Sequence, residues 1–183
     1  MPSDEAVLAA TRGWLERAVI GLNLCPFAKA VHAKGQVHFA VSAGDSAARV
    51  LDDFARELDA LVALAPEERD TTLLVVPHCL GLFLDFNDVV ARGERMIRKN
   101  GLEGVIQLAS FHPDYCFADA DQDDVTNFSN RSPYPTLHLL REASIDKAVR
   151  AFPDAQAIYG ANMETLRNLG AQGWAALEVG PAR

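Results

Sequence analysis

Hydrophobic residues along the chain recur with two periods, one close to the turn of a helix and one of two residues. The helical period predicts helices over residues 4–20, 50–64, 87–100 and 162–169. Alternating or unbroken apolar stretches predict strands over residues 36–42, 71–77 and 104–111. Strands and helices therefore alternate along the first part of the chain, which is the order of an α/β protein.

The stretch TTLLVVP at residues 71–77 is apolar without alternation, as in a strand that is buried on both faces. Each predicted crossover between strands contains a helix, and such crossovers join parallel strands. The sequence therefore predicts an α/β fold, with a small, mostly parallel sheet of about three to four strands flanked by helices, a long ordered polar loop and C-terminal helices. The whole chain, 1–183, is expected to form a single α/β domain, because a domain of this length can bury a core of its own.

Residues 112–135 break this pattern, since they show no useful periodicity. A loop of that length is uncommon in a compact domain unless it is functional or disordered. The aromatic residues in and beside it argue for packing over disorder; they are Phe111, Tyr115, Phe117, Phe128 and Tyr134. We therefore expect the chemistry of the protein to be concentrated between residues 112 and 141.

His112 is the first candidate catalytic residue. It follows the predicted strand 104–111, and the loops after parallel strands meet at the C-terminal edge of the sheet, where ligands bind. Pro113 restricts His112 to an extended conformation that points it off the end of the strand. We expect a general acid or base at this position.

Polar residues suited to binding an anion follow in the same segment. The candidate substrate-binding residues are Tyr115, Asn127, Asn130, Arg131 and Arg141. If Thr136 caps a short helix, His138 and Arg141 share one face, and His138 becomes a second candidate general acid or base. Arginine together with histidine forms a cradle for a carboxylate or a phosphate. A hydrogen-bond network that pins the long loop would use the same residue types and is the alternative.

Cys25 is the candidate nucleophile. It precedes Pro26 at the start of a predicted helical turn, where the helix dipole favours the thiolate. The residues CPFA at 25–28 also resemble the active-site thiol motif of glutaredoxins and omega-class glutathione transferases. In those folds the motif follows a core strand, whereas here it follows a helix, so the likeness implies no thioredoxin-like fold. A buried structural thiol is the alternative.

Composition and charge argue against several classes of protein. A formal net charge of −8 argues against a nucleic-acid binder, because phosphate contacts need clustered Lys and Arg. Three cysteines without paired spacing indicate a reducing compartment. The N-terminal residues lack the basic-then-apolar order of a signal peptide, and no apolar run reaches the length of a membrane span. We therefore expect a cytoplasmic protein with neither membrane nor nucleic-acid partners.

Four segments of the sequence carry a resemblance to a known family. They are GLNLCPFA (21–28), SFHPDY (110–115), NRSPYP (130–135) and LHLLRE (137–142). With them the chain resembles, from its first helix to its last, an uncharacterised family, the domain of unknown function numbered 1415. The candidate residues that match the motif of this family are Cys25, His112, Asn130, Arg131, His138 and Arg141. Cys116 stands where many members have Gln, and the resemblance implies no particular activity.

The sequence thus predicts a small-molecule enzyme of unassigned class that acts on an anionic carboxylate or phosphate substrate at the C-terminal edge of the sheet. A metal- or haem-binding protein is the first alternative, with ligands drawn from His78, Cys79, His112 and Cys116. The second alternative is a non-catalytic interaction domain, suggested by the polar loop and by a basic stripe on the helix 87–100. The substrate, any cofactor and the oligomeric state stay open at this point.

Overall fold

Four strands form one sheet in the computed structural model, which describes residues 2–151 and 155–182. They are β1 (Val37–Val41), β2 (Thr71–Val75), β3 (Ile106–Phe111) and β4 (Thr136–Arg141). Across the sheet they lie in the order β1-β2-β4-β3. Every residue of β2 is buried, as its unbroken apolar sequence predicts for an interior strand.

The α/β class and the number of strands agree with the prediction, but the sheet is mixed rather than mostly parallel. β1 and β2 pair in parallel, whereas β4 is antiparallel to both β2 and β3. β1, β2 and β3 do share one direction, because an α-helix lies in each crossover between them. The difference comes from β4, which the chain reaches through the polar segment rather than through an α-helix, and which inserts between β2 and β3.

β4 also corrects the expectation of a short helix after Thr136. Leu137 and Leu139 are fully buried on one face of this strand, and His138 lies on the other. Hydrogen-bonded neighbours on both sides hold this two-residue period in place. His138 and Arg141 therefore lie on opposite faces of the sheet rather than on a common face.

Helices lie against both faces of the sheet. They are α1 (Asp4–Trp14), α2 (Ala28–Ala33), α3 (Ala47–Ala63), α4 (Phe83–Lys99), α5 (Glu142–Ala151) and α6 (Ala155–Ala176), with a π-helical segment (Leu15–Ile20) that continues α1 and a 3₁₀ helix (Val125–Asn130) inside the polar segment. The Ser3 hydroxyl caps α1 by accepting a hydrogen bond from the Ala6 N–H at 3.3 Å. Gly170, the predicted helix stop, has a φ of +66° and breaks α6, which continues beyond it. No helix within the described residues is long and apolar enough to cross a membrane.

The two faces of the sheet are covered by different parts of the chain. α3 and α4 cover one face, where Phe86 and Leu137 belong to one buried cluster. α1, the π-helical segment and the residues after α6 cover the other face, where Trp14 and Val179 pack with Leu73. Burying each such large apolar side chain contributes roughly 1.5–3 kcal/mol to stability. The second face consequently brings the first helix and the last residues of the described chain beside the polar segment.

Candidate functional site

Two cavities lie beside the polar segment, at the edge of the sheet where β3 ends and β4 begins. The smaller has a volume of about 310 Å³, and Cys25, Phe111 and Asn130 contribute to its wall. The larger has a volume of about 920 Å³, and Arg17 and Arg131 contribute to its wall. We call them the cysteine cavity and the arginine cavity. Their volumes fall in the range of small-molecule binding sites.

Three of the four segments that carry the family resemblance meet at these cavities. Residues 21–28 contribute to the wall of the cysteine cavity. Residues 110–115 and 130–135 contribute to the walls of both cavities. The fold therefore brings segments that are far apart in the sequence around one region of the protein.

Arg131 is held in place by the backbone of the polar segment. Its Nε donates a hydrogen bond to the Tyr115 carbonyl at 3.1 Å, and its Nη2 donates to the Gln122 carbonyl at 2.7 Å. The guanidinium also lies over the Phe128 ring, 5.0 Å from the ring centroid. Arg131 forms no ion pair with any carboxylate of the described residues. Among the described residues it is therefore a fixed cation without an ion-pair partner.

Arg17 has the same kind of environment on the other side of the arginine cavity. Its Nε donates to the Gly13 carbonyl at 3.3 Å, and its Nη2 donates to the Glu178 carbonyl at 2.9 Å. Gly13 allows this approach, because a Cβ there would lie 2.8 Å from Nη2 of Arg17. Arg17 also makes no ion pair within the described part of the chain. In a protein of net charge −8, two such guanidiniums at one cavity form a site of opposite sign.

The rest of the arginine cavity is largely apolar. Trp174 stacks on Phe128, with ring centroids 5.1 Å apart and an angle of 27° between the planes. The smaller apolar residues of the wall include Ala6, Ala9, Ala10, Pro113, Pro133 and Pro181. The carboxylate residue Glu178 also lies in the wall. An apolar surface with a few charged groups is typical of a site for a small organic molecule.

The cysteine cavity combines a free thiol with side-chain amides. Cys25 is half-buried, and the carbonyl of Leu24 beside it accepts a hydrogen bond from Nδ2 of Asn162 at 2.8 Å. Nδ2 of Asn130 donates to the Ser110 carbonyl at 3.3 Å, and each amide keeps a second N–H. This arrangement can accept a small electrophilic group near a sulfur nucleophile and hydrogen-bond its oxygen.

His112 is fully buried and lines neither cavity. Its Nδ1 accepts a hydrogen bond from the Asp114 N–H at 3.0 Å, so Nε2 carries the proton and donates to the Leu80 carbonyl at 3.0 Å. Burial among the Phe83 and Phe86 rings lowers the pKa of this imidazole. Both ring nitrogens are engaged with backbone groups, and the ring holds the turn that follows β3.

His138 lies on β4, beside Leu73 of β2 and Ala109 of β3. The Thr71 hydroxyl donates its proton to the Leu139 carbonyl at 2.7 Å, so it accepts a hydrogen bond from Nε2 of His138 at 2.6 Å. Burial lowers the pKa of His138 to about 4, which keeps the ring neutral at pH 7. Like His112, His138 lines neither cavity.

The candidate groups do not meet as a catalytic cluster. His138 contacts the ring of Phe111, with centroids 5.9 Å apart, and Phe111 in turn contributes to the wall of the cysteine cavity. Both ring nitrogens of His112 and Nε2 of His138 bond to groups other than Cys25. The structure thus places Cys25 in the wall of the cysteine cavity, whereas neither His112 nor His138 belongs to the wall of either cavity.

Arg141 lies at the other end of β4 from the cavities. Its Nη2 donates to the carbonyls of Leu61 and Leu64 at 2.6 and 2.7 Å, and its Nε donates to the Arg69 carbonyl at 3.3 Å. These contacts satisfy carbonyl groups at the C-terminal end of α3. A strand of this length separates its two ends by about 17 Å. Arg131 and Arg141 are therefore too far apart to hold one anion between them.

Asn127 and Tyr115 support the polar segment from inside. Asn127 is fully buried; its Oδ1 accepts from the Phe117 N–H at 3.0 Å, and its Nδ2 donates to the Asp121 carbonyl at 2.8 Å. The Tyr115 ring packs against Phe83 and Phe117, with centroids 5.1 and 5.0 Å away. The backbone carbonyl of Tyr115 accepts the hydrogen bond from Nε of Arg131 and so helps to position Arg131 at the arginine cavity. Both residues take part in the loop-pinning network that the sequence offered as an alternative.

Besides Phe128, three charged or aromatic residues of the arginine cavity are not among the sequence-based candidates: Arg17, Trp174 and Glu178. Arg17 belongs to the continuation of α1, and the other two lie at and after the end of α6. One local feature of the sequence could have indicated Arg17: it lies four residues after Gly13. In a helix this spacing places the guanidinium over a position that has no side chain. Nothing in the sequence showed that the two ends of the chain meet.

The residues proposed as metal ligands do not converge. Within residues 2–151 and 155–182, no three side chains of His, Cys, Asp or Glu are grouped so that they could hold a metal ion. Cys79 donates to the Gly44 carbonyl at 3.5 Å, and burial raises the pKa of its thiol. Cys116 donates to the Ala120 carbonyl at 3.3 Å. His112 is engaged at both ring nitrogens, as described above.

Comparison with known proteins assigns the chain to a family. The family model described as "Protein of unknown function (DUF1415)" matches residues 6–176, so the chain belongs to this family and the resemblance seen in the sequence is confirmed. No curated protein and no solved structure matches the chain. The description of this family names no activity.

Proposed function

We propose that this member of the DUF1415 family is a small-molecule enzyme that acts on a carboxylate or phosphate substrate at the edge of the sheet where β3 ends and β4 begins. One observation carries the proposal most: the guanidiniums of Arg17 and Arg131 are fixed by carbonyls and form no ion pair in the described chain. Hydrogen bonds from a guanidinium to an anion are among the stronger polar contacts in proteins. A preorganised pair of them binds an anion with little loss of side-chain entropy.

In this proposal Arg131 and Arg17 bind the anionic group, and Cys25 is the nucleophile. After its proton has passed to solvent, the Cys25 thiolate adds to a carbonyl carbon of the substrate, and the electron pair of the C=O π bond moves to the oxygen. When this oxyanion collapses, the leaving group departs with its bonding pair and takes a proton from solvent. The amides of Asn130 and Asn162 then hydrogen-bond an oxygen of the reacting group. His112 and His138 act as positioning residues, because they hold the turn after β3 and the ring of Phe111.

Binding of the anion can be tested on the full chain by thermal shift and calorimetry with simple carboxylates and with inorganic phosphate. A ligand at a hundred times its Kd stabilises the folded state by about 2.7 kcal/mol, which raises Tm by several degrees. Arg131→Gln should abolish this rise, whereas Arg95→Gln, on the exposed face of α4, should leave it unchanged. Equal binding by wild type and Arg131→Gln would refute the anion site.

The role of Cys25 can be tested by alkylation with iodoacetamide, followed by mass spectrometry. Cys25 should react faster than Cys79, because burial raises the pKa of the Cys79 thiol and so lowers its thiolate fraction. Anions that raise Tm should slow the alkylation of Cys25, and Cys25→Ser should remove turnover of any substrate found while keeping the Tm rise. Full turnover by Cys25→Ser would exclude the nucleophile.

A binding protein without catalysis is the second candidate. The observation that favours it is that, within the described residues, no histidine contributes to the wall of either cavity. In that case Cys25→Ser would bind anions as the wild type does, and no substrate would be consumed by either protein.

A further inference from the structure

Glu178 gives the arginine cavity a negative charge beside its two positive ones. Glu178 is an exposed residue of the cavity wall, to which Arg17 and Arg131 also contribute. Glu178 forms no ion pair in the described part of the chain, and Arg17 bonds to its backbone carbonyl rather than to its carboxylate. The cavity wall therefore contains an acidic residue that forms no ion pair with the neighbouring guanidiniums.

The backbone holds Glu178 firmly in this position. Its φ of +52° is uncommon for a residue with a side chain. Its N–H donates to the Ala175 carbonyl at 3.2 Å, and the next residue, Val179, is buried. Further along, the Ala182 N–H donates to the Tyr134 hydroxyl at 2.9 Å. Such a conformation persists only where the surroundings enforce it, and here it fixes the backbone of Glu178 at the cavity wall.

We propose, on the basis of the anion site described above, that the ligand of the arginine cavity carries an ammonium group in addition to its carboxylate or phosphate, and that Glu178 binds this ammonium. A ligand with an anion alone would bring its negative charge near that of Glu178, and this repulsion costs free energy. An ammonium group supplies three N–H donors and the opposite charge. The apolar wall around Trp174 then contacts the body of the ligand.

A simpler role for Glu178 makes a different prediction. If its carboxylate merely faces solvent near the cavity, Glu178→Gln removes a repulsion and strengthens the binding of every anion, with or without an amine. If it binds an ammonium, Glu178→Gln weakens the binding of ligands that carry one and strengthens the binding of those that lack it. The sign of the change for the amine-bearing ligand therefore separates the two roles.

The experiment is calorimetry with two matched pairs of probes: L-phenylalanine with 3-phenylpropanoate, and O-phosphoethanolamine with ethyl phosphate. Within each pair the compounds differ by the amine, and the two pairs distinguish a carboxylate ligand from a phosphate ligand. Wild type should bind the amine-bearing member of one pair about two- to fivefold more tightly than its partner. Glu178→Gln should abolish that preference, whereas Glu178→Asp, which keeps the charge, and Glu103→Gln, a change at an exposed residue outside the cavity, should retain it.

The outcomes separate this inference from the proposed function. If the amine-free probes bind as tightly as the amine-bearing ones, or if Glu178→Gln strengthens the binding of both, the ammonium site is excluded while the anion site stands. If none of the four probes shows saturable binding, or if Arg131→Gln leaves their binding unchanged, both proposals are refuted.

Discussion

Gly13 offers a substitution that affects the arginine cavity and the stability of α1 in different directions. It lies in α1, directly beneath the guanidinium of Arg17. In Gly13→Ala the new methyl group would lie 2.8 Å from Nη2 and 3.5 Å from Cζ of Arg17. Both distances involve the end of a flexible side chain, so the guanidinium moves and the helix backbone stays in place.

Opposing contributions set the expected size of the effect on stability. Ala in place of Gly inside a helix is favourable by about 1 kcal/mol. Moving the Arg17 guanidinium breaks its hydrogen bonds to the carbonyls of Gly13 and Glu178, at 3.3 and 2.9 Å, and such exposed bonds contribute about 0.5–1 kcal/mol each. We therefore expect the free energy of unfolding to change by less than about 1 kcal/mol and Tm by less than about 3 °C. The affinity for an anion should fall about tenfold, because one charge-assisted hydrogen bond is lost.

The assay is urea denaturation combined with calorimetry of the anion that binds the wild type. Gly160→Ala is a matched control, because a Cβ at that helical position in α6 meets no atom within 4 Å. This control should gain about 1 kcal/mol of stability and bind as the wild type does. Unchanged anion binding by folded Gly13→Ala would refute the role of Arg17, and a loss of more than about 2 kcal/mol would make Arg17 a structural residue.

Three further predictions concern residues that line neither cavity. Arg141→Ala should lower the free energy of unfolding in urea by about 3 kcal/mol, because the carbonyls at the end of α3 lose a charged donor. Anion binding should persist in this variant. Loss of binding at unchanged stability would contradict the structural role of Arg141. The pKa of His138 is about 4 in the folded protein and 6.5 for an ordinary exposed imidazole, so the unfolded chain binds the extra proton between these pH values. As the pH falls from 6.5 to 4, its contribution to the unfolding free energy should decrease by up to about 1.4 kcal/mol per pH unit. His138→Gln should show a correspondingly flatter pH profile in urea titrations, and an identical profile would contradict the lowered pKa. His112→Ala should cost about 3 kcal/mol in the same assay, because it leaves the Leu80 carbonyl and the Asp114 N–H without their partner; a change below about 1 kcal/mol would contradict its structural role.

The elements predicted from the sequence are those whose pattern is local. β2 was predicted from five consecutive apolar or β-branched residues, and α3 from an apolar stripe that repeats at the helical period. β4 is the exception, because a histidine among leucines fits a short helix as well as a strand. Its pairing with β2 and β3 decides between the two, and such long-range contacts override local preference.

The candidate site was predicted in part for the same reason. Cys25, Asn130 and Arg131 could be selected from residue type and neighbouring prolines, and the structure places them at the cavity walls. Arg17 and Glu178 could not, since their contact spans almost the whole chain. The prediction of a short helix after Thr136 also places His138 and Arg141 on one face. In the strand they lie on opposite faces, because side chains alternate between the faces of a strand.

The central position of β4 has a consequence for synthesis on the ribosome. β1 and β2 can pair as soon as both have emerged, but the hydrogen-bonding partner of β3 is β4, which is made about 25 residues later. Until then the nascent chain has the edge of β2 unpaired and β3 without a partner strand. A fragment that ends before Thr136 should therefore fail to form this sheet, and a separately supplied peptide spanning β4 is the piece that would complete it.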